Sequence, residues 1–311
     1  MTLIAYEPKS FRGDSLALIQ DANEIIADYR GQGLDLTLRQ LYYQFVARDK
    51  IANSDKNYKR LGSILSDARM AGLVSWTSIV DRTRSIHSDL AGYETTHEDL
   101  IRDAAEGYFE DLWRDQPYRV EVWVEKEALA GVIQRAAGTF RAPYFSCRGY
   151  ASQTAMWDAS QRIVRYKHEF DQDTLILHLG DHDPSGIDMT RDIEDRLTLF
   201  TSHHMRSGHL EVRRIALNMD QIEEYQPPPN PAKLSDSRAA GYVEEHGYES
   251  WELDALEPTV LIDLIRAEVN TVLDDSAWQD AVRHENDERA KVVAIADRWT
   301  EIVDYLEENP A

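Results

Sequence analysis

The spacing of hydrophobic positions changes along this chain, and the change divides it. Between residues 118 and 197 short apolar runs alternate with longer stretches of helical period. Val120, Val122 and Val124 alternate with Glu121 and Trp123, the two-residue period of a strand, and Glu125 follows at its end. Leu175, Ile176, Leu177 and Leu179 make a second apolar run, too short for a helix and closed by Gly180. A third strand is expected at 143–147, with helices at 126–140 and 152–170 filling the intervals. Strand, helix, strand, helix, strand predicts a parallel sheet with crossover helices, an α/β unit. The alternating run at 210–217 adds a strand, and 219–225 a short helix.

The N-terminal third has helical period only. Residues 14–31 place Leu16, Leu18, Ile19, Ala22, Ile25, Ile26 and Tyr29 on one broad face. Thr37 is in N-cap position for a second helix, 38–48, carrying Leu38, Leu41, Tyr42, Phe45 and Val46. In that register Tyr42 belongs to the core stripe, and Tyr43 falls one step off it, on a boundary or exposed face. A third helix, 58–71, sets Tyr58, Leu61, Ile64, Leu65 and Ala68 on one side, with Lys59, Arg60 and Arg69 elsewhere. Residues 73–76 and 79–81 suggest a small hairpin or wing. Three helices and a hairpin outline a winged helix-turn-helix, and equally a generic three-helix cap with a solvated basic face.

The remainder is less patterned. Residues 87–113 are acidic and aromatic and read as a brace, 227–231 as irregular, and 233–248 as polar and loop-like. Two terminal helices are expected at 258–274 and 277–308. The expected organisation is a helical domain at 1–90, a linker at 91–117, and an α/β domain with a C-terminal helical extension at 118–311.

The 311 residues are enough for two cores, and a composition 42% hydrophobic and 29% charged is that of a globular protein. No apolar run is long enough to span a membrane, and the N-terminus lacks a signal-peptide pattern. Cys147 is the only cysteine, which excludes an intrachain disulfide and suits a reducing cytosol, so a cytoplasmic location is expected. With no His or Asn signature beside it, Cys147 reads as a small buried hydrophobe. A net charge of −22 argues against indiscriminate nucleic-acid binding. The charge is uneven, however. Residues 251–311 hold 16 acids and 5 Lys or Arg, whereas 37–84 hold 9 Lys or Arg and 4 acids. Because screening confines surface fields to about 8–10 Å, a local basic face can still track phosphates.

Candidate chemistry gathers where the strands end. In parallel sheets ligands bind beyond the carboxyl ends of strands, which is where Glu125, Asp181 and Asp183 fall. In extended backbone Asp181 and Asp183 project the same way. Converging carboxylates repel one another unless a hard cation lies between them, and oxygen-only ligands favour Mg²⁺. Single acids commonly follow strands because loops are polar; Glu125 plus Asp-x-Asp-Pro-x-Gly at two equivalent ends outweighs that reading. His178 and His182 flank the acids, His182 as a neighbour rather than a ligand. There is no His-x-x-x-His or Cys/His cluster for zinc and no Walker A sequence for ATP.

Val-Glu-Lys-Glu-Ala, the Gly149-Tyr150 turn before a helix, and Gly-Asp-His-Asp-Pro-Ser-Gly-Ile-Asp together resemble the Toprim domain of the topoisomerase VI A subunit and its relatives, the meiotic double-strand-break transesterases. The resemblance covers about 36–84 and 119–197, with a weaker echo near Trp251. It implies a winged-helix domain followed by a Toprim, Rossmann-like domain, with Glu125, Asp181 and Asp183 holding Mg²⁺. Thr-Leu-Arg-Gln-Leu-Tyr-Tyr resembles the family's winged-helix segment, which implies Tyr43 as the nucleophile and Arg39 as the arginine four residues ahead of it. It further implies double-stranded DNA as substrate and a homodimer in which each tyrosine faces the other subunit's metal site. A separate ATPase B-type subunit would be the partner that handles ATP.

The first expectation is therefore Mg²⁺-dependent DNA cleavage with a covalent phosphotyrosine link, as in a type IIB topoisomerase A subunit. The second keeps the metal site without the tyrosine, giving a hydrolytic Toprim nuclease. The third is a non-catalytic DNA-binding module.

Overall fold

The computed structural model describes residues 3–80 and 96–309. Asp81, the arginines at 82 and 84, His87, Tyr93 and the junction expected at 90–91 lie outside the described residues. The chain opens with three helices, α1 (Gly13–Gly31), α2 (Leu38–Ala47) and α3 (Asp55–Met70), and after residue 95 continues with α4 (His97–Glu106). There follow β1 (Tyr118–Val124), α5 (Ala130–Thr139), β2 (Tyr144–Ser146), α6 (Gln153–Phe170), β3 (Asp173–Leu179), α7 (Pro184–Thr201), β4 (Leu210–Ala216) and α8 (Met219–Tyr225). A small antiparallel pair, β5 (Asn230–Pro231) and β6 (Glu249–Ser250), encloses α9 (Ala239–His246). The chain ends with α10 (Pro258–Asn270), α11 (Asp275–Asp297) and α12 (Trp299–Glu308).

The main sheet is four-stranded, parallel throughout, in the order β2-β1-β3-β4. Its two faces follow the alternation in the sequence. Val120, Val122 and Val124 with Leu175, Leu177 and Leu179 enter one core, together with residues of α5 and α10. Trp123 and Ile176 point the other way, into a core shared with α6 and α7. On that second face lies Glu121, 1% exposed, whose carboxylate accepts from Arg162 Nε at 2.7 Å and Nη2 at 2.8 Å and from Trp123 Nε1 at 3.0 Å. A buried charge persists in a sheet core only when paired and hydrogen-bonded in this way.

Helices α1 to α3 build a separate core around Ile26, Tyr29, Leu41, Phe45, Leu61 and Leu65. Thr37 caps α2 as expected: its hydroxyl accepts from Gln40 N, and Gln40 Oε1 accepts from Thr37 N at 2.9 Å. α3 begins three residues earlier than the apolar stripe indicates, because Ser54 caps it by accepting from Asn57 N. No hairpin forms in the described part of 73–81. Ile79 makes a single parallel bridge to Leu36, with Val80 N donating to Leu36 O at 3.0 Å. The expected loop at 233–248 contains α9, held by the buried Tyr242. The expected helix at 277–308 is two, broken at Arg298. Among the described residues no helix is long and apolar enough to cross a membrane.

The brace expected before the sheet is present in α4 and the segment after it, which pack on α11. Glu285, 3% exposed, is the tie: it accepts from Glu110 N at 2.8 Å, Arg141 Nη2 at 2.8 Å and Arg289 Nη2 at 2.7 Å. The bonds from Arg141, more than any other contact, hold the carboxyl down at about 2, against an ordinary 4.5. A folded-state pKa below the unfolded one contributes stability in full above about pH 4.5, and that contribution fades as the pH falls towards 2. Glu285→Gln is therefore expected to lose about 2–3 kcal/mol at neutral pH, with a flatter stability profile between pH 5 and 2, read by urea unfolding across that range.

Candidate metal centre

At the carboxyl edge of the sheet, β1 and β3 deliver Glu125 and the loop 180–183 into a cleft of about 500 Å³. β3 stops at Leu179, so Asp181 and Asp183 do not continue one strand as expected. Asp183 instead caps α7, its Oδ1 accepting from Gly186 N at 2.6 Å and Ser185 Oγ at 2.9 Å, with Pro184 in the first turn. Asp181 turns inward, 7% exposed, and its backbone N donates to Glu125 Oε2 at 2.8 Å. All three expected acids line the same cleft.

A second set of acids meets them there. The segment after β6 alternates: Trp251 and Leu253 enter the sheet-side core, Ala255 enters the core of α1 to α3, and Glu252 and Asp254 face the cleft between. A bridge fixes this segment to the acid loop, with His182 N donating to Trp251 O and Trp251 N to His182 O, each at 2.9 Å. Leu253 N donates to Asp181 Oδ1 at 2.8 Å. Asp181, Glu252 and Asp254 consequently each bring a carboxylate oxygen within 4.8 Å of the other two. This group shares Asp181 with the set read from sequence. Glu125 and Asp183 stand beside it.

Two cations lie among the three converging acids. Lys126 Nζ lies 2.8 Å from Asp181 Oδ1, 2.5 Å from Glu252 Oε2 and 2.9 Å from Asp254 Oδ1. Arg39 Nη2 donates to both oxygens of Glu252 at 2.6 Å, and its Nε is 3.1 Å from Asp254 Oδ2. Burial raises the Asp181 carboxyl to about 8, with Glu125 and Asp254 adding to the rise and Lys126 opposing it. Burial also raises Glu125. Burial alone would depress the Lys126 ammonium, but Asp254, Asp181 and Glu252 together hold it above its ordinary value.

Backbone geometry at the site is set by Arg214 on β4. Its Nη2 donates to the carbonyls of Gly180 (3.0 Å), Asp181 (2.7 Å) and Leu217 (3.1 Å), and Nη1 to Gly186 O (2.9 Å). The guanidinium is spent on carbonyls rather than on a carboxylate, and burial lowers it to about 10. The two histidines are structural. His178 Nδ1 pairs with Thr190 Oγ1 at 2.8 Å, and His182 Nδ1 pairs with Tyr242 Oη at 2.9 Å. Burial lowers them to about 3 and about 4, so both are neutral. Cys147 is buried, as expected.

Tyr43 departs from the expected boundary or exposed face: it is 3% exposed, as buried as Tyr42 at 4%. With Arg39, Asn230 and Glu252 it lines a small hollow next to the cleft, and those three residues line the cleft as well. Arg39 and Tyr43, one helical turn apart, stack with the guanidinium carbon 5.8 Å from the ring centre. Burial, then the charges of Glu252 and Asp254, push the phenol up to about 12.

The donor set fits a hard divalent cation. All three converging ligands are carboxylates, and Asp254 Oδ2, fully buried, accepts no hydrogen bond. Glu252 and Asp254 lie in the Trp251-Glu-Leu-Asp-Ala-Leu256 run that carries the weaker echo of the family, but the sequence assigns that run no role in the site; the signal present was the alternation of acids with Trp251, Leu253 and Ala255. The fold and site define a class: an α/β protein with a carboxylate cleft at the carboxyl edge of a parallel sheet. The chain matches no known family profile and no curated protein.

Proposed function

We propose that this protein is a divalent-metal-dependent enzyme that breaks DNA phosphodiester bonds, with a Toprim-like sheet domain, a winged-helix-like N-terminal domain and Tyr43 as the attacking group. The observation that carries the proposal is the convergence of Asp181, Glu252 and Asp254 in a cleft that Glu125, Asp183, Arg39, Arg148 and Lys233 also line. Acids flanked by cations suit a phosphodiester held through a hard cation. Mg²⁺ is the ion favoured by such ligands, and when bound it would offset charge on the scissile phosphate. Asp181, Glu252 and Asp254 would hold it, with Glu125 and Asp183 at its border.

The roles of the chain's own groups follow from their places. Arg39 reaches both the acid cluster and the Tyr43 ring, so it can neutralise charge on a phosphate lying between them. Tyr43 attack would form a phosphotyrosine bond as the deoxyribose–phosphate ester breaks, the phenol losing one proton and the departing deoxyribose oxygen gaining one. A phenol near 12, raised first by burial and then by Glu252 and Asp254, is a poor nucleophile at neutral pH, and a cation drawing those two acids away would relieve only the second of these causes. A homodimer acting on double-stranded DNA, with a separate ATPase subunit, completes the proposal.

The burial of Tyr43 favours a second reading, hydrolysis by water at the same cleft. One experiment separates them. Supercoiled plasmid and Mg²⁺ are incubated with the protein, stopped with detergent, and resolved with and without protease, alongside Tyr43→Phe. Breaks whose ends stay protein-linked and disappear in Tyr43→Phe are the expected result. Free ends made equally well by Tyr43→Phe establish hydrolysis. Intact plasmid throughout contradicts both.

A further inference from the structure

The point where Asp181, Glu252 and Asp254 converge already holds a cation, the ammonium of Lys126. Its three N–H donors match three carboxylates drawn from two separate parts of the chain, the β3 loop and the segment after β6. The Lys126 side chain is only 20% exposed, and that of Asp254 is fully buried. The oxygens that Nζ touches are carboxylates of the same three residues that come close enough to hold a metal ion. An ammonium and a divalent cation cannot share that space. One oxygen of the cluster, Asp254 Oδ2, accepts no hydrogen bond while the ammonium is present and is met by an ion pair with Arg39 Nε at 3.1 Å, so Lys126 alone does not satisfy the site.

We propose that Lys126 is a built-in counter-ion that a divalent cation displaces, so that metal binding delivers the lysine to the cleft as a ligand for the phosphate backbone. The proposal rests on the metal-dependent reading given above. Lys126 follows Glu125 directly at the end of β1, with extended backbone, and lines the same cleft as Arg148 and Lys233. Expelled from the carboxylates, its ammonium adds a positive charge to that cleft. Metal and polyanion then help one another: the metal frees the lysine for the phosphate, and the phosphate holds the lysine away from the metal. By linkage, each raises the other's affinity by the same factor.

The test is Mn²⁺ affinity, followed by electron paramagnetic resonance of the free ion, for the full-length protein and for Lys126→Met, with and without a short DNA duplex. Without DNA, Lys126→Met is expected to bind Mn²⁺ about tenfold more tightly than the native protein, a typical coupling factor. The duplex is expected to tighten Mn²⁺ binding to the native protein and leave Lys126→Met unchanged. Equal or weaker Mn²⁺ binding by Lys126→Met overturns this proposal alone; no binding by either protein overturns the metal reading with it. A second measurement needs no variant. Labelling of the native protein with an amine-reactive reagent, read by mass spectrometry, is expected to modify Lys126 faster with Mn²⁺ than without. An unchanged or slower rate in protein that binds Mn²⁺ overturns the proposal.

Discussion

Gly186→Ala is expected to destabilise the protein by about 3 kcal/mol, the upper end of the overpacking range, and to abolish divalent-cation binding. A Cβ at this position meets Asp181 O at 2.2 Å, Asp181 C at 3.0 Å and Asp181 N at 3.2 Å. All three are backbone atoms, so no side chain can swing aside. The first turn of α7 must leave the acid loop, and with it go two hydrogen bonds: Gly186 N to Asp183 Oδ1, and Arg214 Nη1 to Gly186 O. Asp181 and Asp183 are both placed by that contact. Urea unfolding and Mn²⁺ binding check the two halves of the prediction. Native stability in the alanine variant would show that the loop does not approach the helix this closely.

The second large effect is on the proposed DNA cleavage. Asp254→Asn keeps the shape of a side chain that is fully buried but removes the charge facing Lys126 and Arg39. DNA cleavage is expected to fall by about two to three orders of magnitude, the cost of deleting one preorganised electrostatic group. Stability is expected to fall as well, because the amide must turn its NH2 towards Lys126 or Arg39, although Lys126 keeps Asp181 and Glu252 and Arg39 keeps two bonds to Glu252. A rate loss measured where the variant is still fully folded separates a role in the site from a role in folding.

What the sequence discloses depends on whether a residue's position is set locally. β1 and β4 are legible because their side chains alternate with a two-residue period, β3 because it is a short apolar run buried on both faces and closed by Gly180, and α1 and α2 because a single apolar stripe faces one core. Thr37 is legible because its capping box lies within four residues. The start of α3 is set by Ser54, outside the apolar stripe, and the stripe alone misses it. α9 is hidden in a polar stretch because its one long anchor is Tyr242, whose hydroxyl pairs with His182, sixty positions away. The continuous charged pattern of the C-terminus conceals the break at Arg298.

The site divides the same way. Glu125, Asp181 and Asp183 can be found from strand ends alone, since topology sends such ends to one edge. Glu252 and Asp254 cannot, because a bridge between His182 and Trp251, distant in sequence, is what carries them in. The burial of Tyr43 likewise has a tertiary cause. Its side chain borders a hollow that Asn230 and Glu252 also line, so a position one step off the stripe of α2 meets a different part of the chain.

The most direct measurement is a titration of Mn²⁺ into the native protein and Asp254→Asn, with free ion read by electron paramagnetic resonance. The account predicts saturable binding to the native protein, weakened by about a hundredfold or more in Asp254→Asn. Native protein that takes up no Mn²⁺, or an Asp254→Asn variant that binds it as tightly, would contradict the metal centre and the chemistry built on it.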